Sequence, residues 1–238
     1  MSSPPNAVAV YCGSSPGTEK AFSSAAISLG RAIAESGRAL VYGGGSKGIM
    51  GIVSGAVLDR GGKVTGIVPY AMVHAGGEQE KVGSDERKTV ALVETGRENI
   101  EHIVVGSMHE RKVEMAKKSC GFFGLPGGFG TFEEVLEVTT WTQLGIHNKP
   151  VVLINVLSFY EPLRQLVNNG IKYGFIKPES RSLLVFVDGP QSHAEHEGFD
   201  WGKAAVAALD SWKRDAEDGL FDWSLKSTGG HGEPLEST

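Results

Sequence analysis

Along the chain, short and almost wholly apolar runs alternate with longer segments whose apolar positions recur at helical spacing. Ala7-Val-Ala-Val-Tyr-Cys12 is a run of the first kind and reads as a strand, followed by a turn from Gly13 to Gly17. Between Thr18 and Ser36, the residues Ala21, Ala25, Leu29 and Ile33 fall on one helical face, and Gly37 supplies a stop. Ala39–Tyr42 predicts a second strand, the glycine-rich turn 43–48 a loop, and the stretch to Leu58 a helix closed by Gly61-Gly62. Val64–Val68 predicts a third strand.

Residues 69–100 are less regular, with a turn at Gly76-Gly77 and a strand expected at Thr89–Val93. Another strand is expected at Ile103–Val105, a basic helix over Ser107–Ser119, and a buried strand at Phe122–Leu125. An amphipathic helix follows over Thr131–Leu144, then a strand at Pro150–Val156, a helix near Pro162–Asn169 and a strand at Leu183–Val187. A polar, His-containing link leads to a last helix from Trp201 to about Glu217. Strands that alternate with helices predict an α/β fold: a Rossmann-like parallel sheet with helices on both faces. One domain is expected over residues 1–223, its core over 7–187 with an extension over 188–223, and a flexible tail over 224–238.

Composition sharpens this picture at one point. Glycine makes up 33 of the 238 residues, about twice the usual ~7%. There is no three-residue period, so collagen is excluded, and 40% hydrophobic residues is enough for a sizeable core. A net charge of −5 offers no global basic field for nucleic acid or an anionic membrane. No apolar run approaches the roughly 18–20 residues that span a bilayer, and Met1–Asn6 has no signal-peptide pattern. Cys12 and Cys120 read as buried free thiols. The expectation is a cytoplasmic protein that binds neither membrane nor nucleic acid.

The surplus glycine gathers in two turns that follow strands and open helices, where an open parallel sheet binds ligands. Gly43-Gly-Gly-Ser-Lys-Gly48 satisfies G-x-G-x-x-G. No acid closes the next strand as a dinucleotide site requires, and no Lys-Ser/Thr pair follows as in a Walker loop. It reads equally as a tight structural turn or as a phosphate cradle. The second turn, Pro126-Gly-Gly-Phe-Gly-Thr-Phe-Glu-Glu134, is far more specific. Its backbone N–H groups open a helix and suit an anion, and the Thr131 hydroxyl can cap the helix or meet a phosphate. Glu133 and Glu134 point about 100° apart on a helix, so one faces the crevice and the other solvent.

P-G-G-x-G-T-x-x-E, from Pro126 to Glu134, resembles the signature of the LOG ("lonely guy") family of cytokinin riboside 5′-monophosphate phosphoribohydrolases. A second family signature, M-H-x-R-K-x-x-M, is present as Met108–Met115. Val10–Ser15, Val41–Gly45, Gly48–Gly51 and Glu137–Pro150 are similar to further family segments. The resemblance implies hydrolysis of the N-glycosidic bond of N6-modified AMP, and of AMP, releasing free base and ribose 5-phosphate without metal or cofactor. It assigns catalysis to Arg111 and Glu134. Substrate contacts fall on Gly13, Ser14, Gly44, Gly45, Glu94, Lys112, Gly127, Gly128, Phe129, Gly130, Thr131 and Thr140. It also implies a homodimer or larger homo-oligomer with its sites near the subunit interface.

The chemistry of these residue types agrees. Cleavage builds positive charge on the ribose, which a carboxylate can stabilise while orienting a water. Arg111 can bind the phosphate-ribose portion or hold the glutamate ionised. The older label attached to this signature, lysine decarboxylase, requires pyridoxal phosphate on a Schiff-base lysine, and no lysine here is assignable to that role. His193-Ala-Glu-His196 lacks the order of a metal motif, and His109 lies about 200° around its helix from Arg111. Phe122, Phe123 and Trp141 read as core. The competing reading is a non-catalytic nucleotide or molybdenum-cofactor carrier on the same scaffold.

Overall fold

In a computed structural model of the chain, residues 6–73, 96–214 and 221 are described. Seven strands form one parallel sheet: β1 (Ala7–Tyr11), β2 (Ala39–Tyr42), β3 (Val64–Pro69), β4 (Ile100–Val105), β5 (Ser119–Gly124), β6 (Val151–Ile154) and β7 (Leu184–Val187). Their order is β4-β3-β2-β1-β5-β6-β7. The chain winds outward from β1 to β4, then crosses back to β5 on the other side of β1. The point of reversal therefore lies between β1 and β5, where an open α/β sheet leaves a crevice beyond its carboxyl ends.

Among the described residues, six α-helices cover the sheet: α1 (Lys20–Glu35), α2 (Gly48–Leu58), α3 (Met108–Lys118), α4 (Phe129–Leu144), α5 (Glu161–Lys172) and α6 (Trp201–Ser211). One core packs Ala25, Leu29 and Ile33 of α1, Val53 and Val57 of α2, and Trp201, Ala205 and Leu209 of α6 against Val8, Val10, Leu40 and Tyr42. The other packs Met115 of α3 and Val135 and Val138 of α4, with Leu163 and Val167 of α5, against Ala9, Tyr11, Val41 and Phe122. The alternation of β1 between the two cores is the period-two rule of a strand buried on both faces. Phe122 and Phe123 are fully buried, as expected.

Several boundaries differ from the sequence reading for local reasons. β4 starts at Ile100 rather than Ile103, because it pairs with β3 along its whole length, from Val64↔Ile100 to Pro69↔Val105. β5 starts at Ser119 rather than Phe122, directly off the end of α3; the Ser119 hydroxyl donates to the Met115 carbonyl at 2.8 Å. α4 starts at Phe129 rather than Thr131, so the glycine pair lies within its entry. α6 ends at Ser211, and the expected continuation to Glu217 runs into residues outside those described. The strand expected at Thr89–Val93 and the tail from 224 also lie outside the described residues.

The link after Asp188 is built into the fold rather than hung from it. Trp201 is fully buried and its indole N–H donates to the His196 carbonyl at 2.8 Å. His196 Nδ1 accepts from the Leu157 N–H at 2.9 Å, which places the ring proton on Nε2, 2.7 Å from the Pro190 carbonyl. Leu157 and Ser158 hold φ of 51° and 60°, a left-handed conformation costly for non-glycine residues. His196 and the His193–Ser158 contact at 3.1 Å tie this turn down. His196 therefore serves as a backbone anchor, and His193 holds the Ser158 side chain. Among the described residues, no helix is long and apolar enough to cross a membrane.

Candidate active site

Three chain segments converge at the crevice, and each is positioned by its own local chemistry. Ser107 caps α3 by accepting from the Glu110 N–H at 3.1 Å, while Glu110 reaches back to the Gly106 N–H at 2.7 Å. This is the reciprocal logic of a capping box, displaced by one residue. It fixes the first turn of α3, and with it Arg111. The guanidinium then extends over the carboxyl ends of the inner strands: Nε donates to the Ile67 carbonyl of β3 at 3.1 Å. Gly43 is the residue that leaves room for it, since a Cβ there would collide with Nη2.

The two glycine-rich turns behave differently. In the first, the missing side chains make way for the protein itself. Gly44 is packed under Val68, Gly45 lies against Met50, and Gly48 takes φ of +60° where a Cβ would strike the Ser14 backbone. The Met50 N–H, in the first turn of α2, already donates to the Gly13 carbonyl at 3.3 Å. In the second turn, Gly127 is required by close approach, because a Cβ would meet the Thr131 hydroxyl and the Gly13 nitrogen. Gly13 in turn donates to the Pro126 carbonyl at 3.1 Å, locking the β1 and β5 loops together. Gly128 and Gly130, by contrast, face open space. Among the described residues, no side chain caps α4 at Gly128, so its first N–H groups and helix dipole are open at the crevice, an arrangement suited to a phosphate.

One turn into α4, Glu134 is buried while its neighbour Glu133 is exposed, which settles which carboxylate faces inward. Glu134 Oε1 lies 3.5 Å from Arg111 Nη1, with only 10% and 12% of the two side chains exposed. Burial pushes the Glu134 carboxyl up to about 7; Arg111 pulls it down and Glu133 pushes it up, both less strongly. A buried carboxylate beside a fixed cation and an anion cradle can carry charge to a reacting centre in a low-dielectric setting.

Lys112 turns away from this pair: its Nζ bonds Glu133 at 2.6 Å and Glu137 at 2.9 Å. Thr131 is buried beneath Gly127. Ser14 is exposed at the rim, and Phe129, 90% exposed, begins a row of aromatic contacts through Phe132 and Phe159 to Phe22. Thr140 lies on the outer face of α4, its hydroxyl bonded back to the Leu136 carbonyl at 2.8 Å. Glu94 lies outside the described residues. The aromatic row and the Ile67 carbonyl escaped the sequence reading, since neither leaves a motif. The capping box did leave one, Ser107-x-x-Glu110, at the start of an evident helix.

Comparison with known proteins places the chain in a family. The family model described as "Possible lysine decarboxylase" matches residues 50–196. A probable cytokinin riboside 5′-monophosphate phosphoribohydrolase of Oryza sativa subsp. japonica is 40% identical over 209 residues, 87% of this chain and 85% of the relative. A cytokinin riboside 5′-monophosphate phosphoribohydrolase of Arabidopsis thaliana is 44% identical over 178 residues, 75% of each chain. Among solved structures, the molybdenum cofactor binding protein of Rippkaea orientalis shares the fold, with a TM-score of 0.56 and 19% identity over 89% of this chain and 98% of that one.

The decarboxylase description implies pyridoxal phosphate on a lysine able to lose its proton. Burial lowers the Lys112 pKa, but its bonds to Glu133 and Glu137 outweigh that and leave it raised. Burial lowers Lys149, but this lysine bonds the Ala116 carbonyl at the opposite end of the sheet. Neither lysine fits that cofactor.

Proposed function

The chain belongs to the LOG family of cytokinin riboside 5′-monophosphate phosphoribohydrolases, and from that membership we propose that it hydrolyses the N-glycosidic bond of N6-modified AMP, and of AMP, to free base and ribose 5-phosphate. The observation that carries this reading is the buried Arg111–Glu134 pair at 3.5 Å, one turn inside a helix entry that no side chain caps. In this reading the 5′-phosphate sits on the α4 N-terminus at Gly128, Gly130 and Thr131, which brings the anomeric carbon within reach of Glu134. As the bond to the purine breaks, positive charge grows on the ribose; the Glu134 carboxylate stabilises it and orients the attacking water. Arg111, fixed by the Ile67 carbonyl, favours the ionised carboxylate against the effect of burial and offers its remaining N–H groups to the ribose phosphate.

A carrier on this scaffold would need the cradle but not the ion pair, so the pair favours the enzyme. Incubation with N6-isopentenyl-AMP and with AMP, followed by chromatography, tests the choice. Free base is the expected product, and tight binding without release of base from either nucleotide would establish the carrier.

We further propose a homodimer, built on the exposed Phe129, Phe132 and Leu136 along α4, in the cytoplasm. Thr140, on that same outer face, would approach a nucleotide only near such an interface. Leu136→Glu should turn dimers into monomers by light scattering.

A further inference from the structure

Tyr11 is the last residue of β1 and stands on the face covered by α3 and α4. Its ring packs among Met115, Val135 and Val138 and stacks on Phe122 at 6.0 Å between centroids and 9° between planes. Met115 lies one turn beyond Arg111, and Val138 one turn beyond Glu134. The phenol thus lies under the layer that holds the ion pair, and the charges that act on it are those of Glu134, Glu137, Arg111 and Glu133. The residue is 2% exposed, yet its hydroxyl has no hydrogen-bond partner among the described residues. The same is true of two nearby carboxylate oxygens, Oε1 of Glu134 and Oε2 of Glu137.

Among the described residues, the Tyr11 donor and these two acceptors are thus left over in buried positions, where unpaired polar atoms are costly. Glu137 already has a cation, since its other oxygen accepts from Lys112 at 2.9 Å. Among the described residues, Glu134 Oε1 has only the Arg111 contact, at 3.5 Å and outside hydrogen-bond geometry. We propose that in the working enzyme the Tyr11 hydroxyl donates to the Glu134 carboxylate, directly or through one bound water, and so is a positioning residue for glycosidic hydrolysis. Burial, reinforced by Glu134 and Glu137, keeps the phenol protonated far above the usual tyrosine range, so it remains a donor throughout. A donor is needed there: burial lifts the carboxyl to about 7, and a nucleotide phosphate on α4 would lift it further. Just beyond β1, in the opposite core, the Cys12 thiol is also buried and neutral, so it adds no charge.

The inference rests on the hydrolase reading, and the test separates the two. Tyr11→Phe in the full chain keeps the ring and its stacking on Phe122. With N6-isopentenyl-AMP, the acidic limb of kcat/KM should move up by about one pH unit, the size expected for one hydrogen bond to a charged acceptor. Below neutral pH, kcat/KM should fall roughly tenfold and return at alkaline pH with KM unchanged. The carboxyl stretch assigned to Glu134 by comparison with Glu134→Gln should titrate with the same upward displacement in infrared difference spectra. A superimposable pH profile and an unmoved Glu134 titration would overturn the proposal, including the case in which Tyr11 serves Glu137 instead. If the wild-type protein releases no base, the hydrolase reading fails, and the infrared titration still decides the Tyr11–Glu134 link.

Discussion

Replacing Glu134 with glutamine should stabilise the protein above neutral pH and remove its activity, because the fold opposes the charge that the chemistry needs. The residue is 8% exposed, and Oε1 has no hydrogen-bond partner among the described residues. Burial raises its carboxyl from 4.5 to about 7 even with Arg111 pulling the other way. At 1.36 kcal/mol per pKa unit, that gap corresponds to about 3 kcal/mol between the two protonation states. The unfolded chain loses this proton near 4.5, whereas the native state holds it to about 7. Between those values the native state binds more protons, so stability falls as pH rises through the window, and the whole cost stands above it. Glutamine has the shape of the neutral acid and carries none of that cost. Each pKa unit that a Tyr11 hydrogen bond removes takes about 1.4 kcal/mol off the expected gain.

Urea unfolding of wild type and Glu134→Gln at about pH 4, 6 and 8 reads the effect directly. The variant should equal the wild type at the lowest pH and exceed it by up to about 3 kcal/mol at the highest. Release of base should drop by about 10²–10⁴-fold, the usual contribution of a positioned carboxylate. A stability difference that does not vary with pH would refute the claim that the ionised residue is strained by burial. Activity near that of the wild type would remove Glu134 from the mechanism, whatever the stability showed.

Arg111→Met should cost about 3 kcal/mol at pH 8, since it leaves a buried carboxylate without its cation, and should abolish turnover; a midpoint unchanged in urea would place the guanidinium in solvent. The two central glycines should part company. Gly127→Ala forces a Cβ into Thr131 and the β1 loop and should lower stability by about 1–3 kcal/mol. Gly128→Ala meets no atom of the described residues and should leave unfolding unchanged while raising KM severalfold, because it intrudes on the phosphate; equal effects of the two on stability would contradict this division. His196→Ala removes the anchor of the Leu157–Ser158 turn and should cost about 2 kcal/mol by thermal unfolding, with a smaller change in kcat.

Most of the fold was legible because a parallel sheet buried on both faces writes itself as short apolar runs. Val151–Ile154 is buried at every position, and such a run, bounded by Pro150 and Asn155, leaves little choice of element. What could not be read was set by partners distant in sequence. β4 begins three residues before its apolar core because β3 offers Val64, Thr65 and Gly66 to pair with Ile100, Glu101 and His102. Nothing local marks a polar residue such as Glu101 as strand.

The site divides along the same line. Residues that act through the backbone or sit at a fixed place in a motif were visible: Gly127 to Thr131, Arg111 and Glu134 all follow from the two signatures. The two readings of the first glycine turn, tight turn or phosphate cradle, were not resolved by sequence, because glycine is used both to admit a ligand and to admit a neighbouring side chain. Only packing distinguishes them: Gly43 and Gly44 make room for Arg111 and Val68, whereas a Cβ at Gly128 or Gly130 would meet open space among the described residues. Tyr11 was invisible for a related reason. In Ala7–Tyr11 it counts as one more apolar strand residue, and its ring does belong to the core. Its hydroxyl matters only because the crossovers from β4 to β5 and from β5 to β6 bring α3 and α4 over the end of β1, carrying Arg111 and Glu134 above it. A tyrosine in that place can bury a donor beneath a catalytic carboxylate; a phenylalanine there would fill the same core and leave the carboxylate with a cation alone.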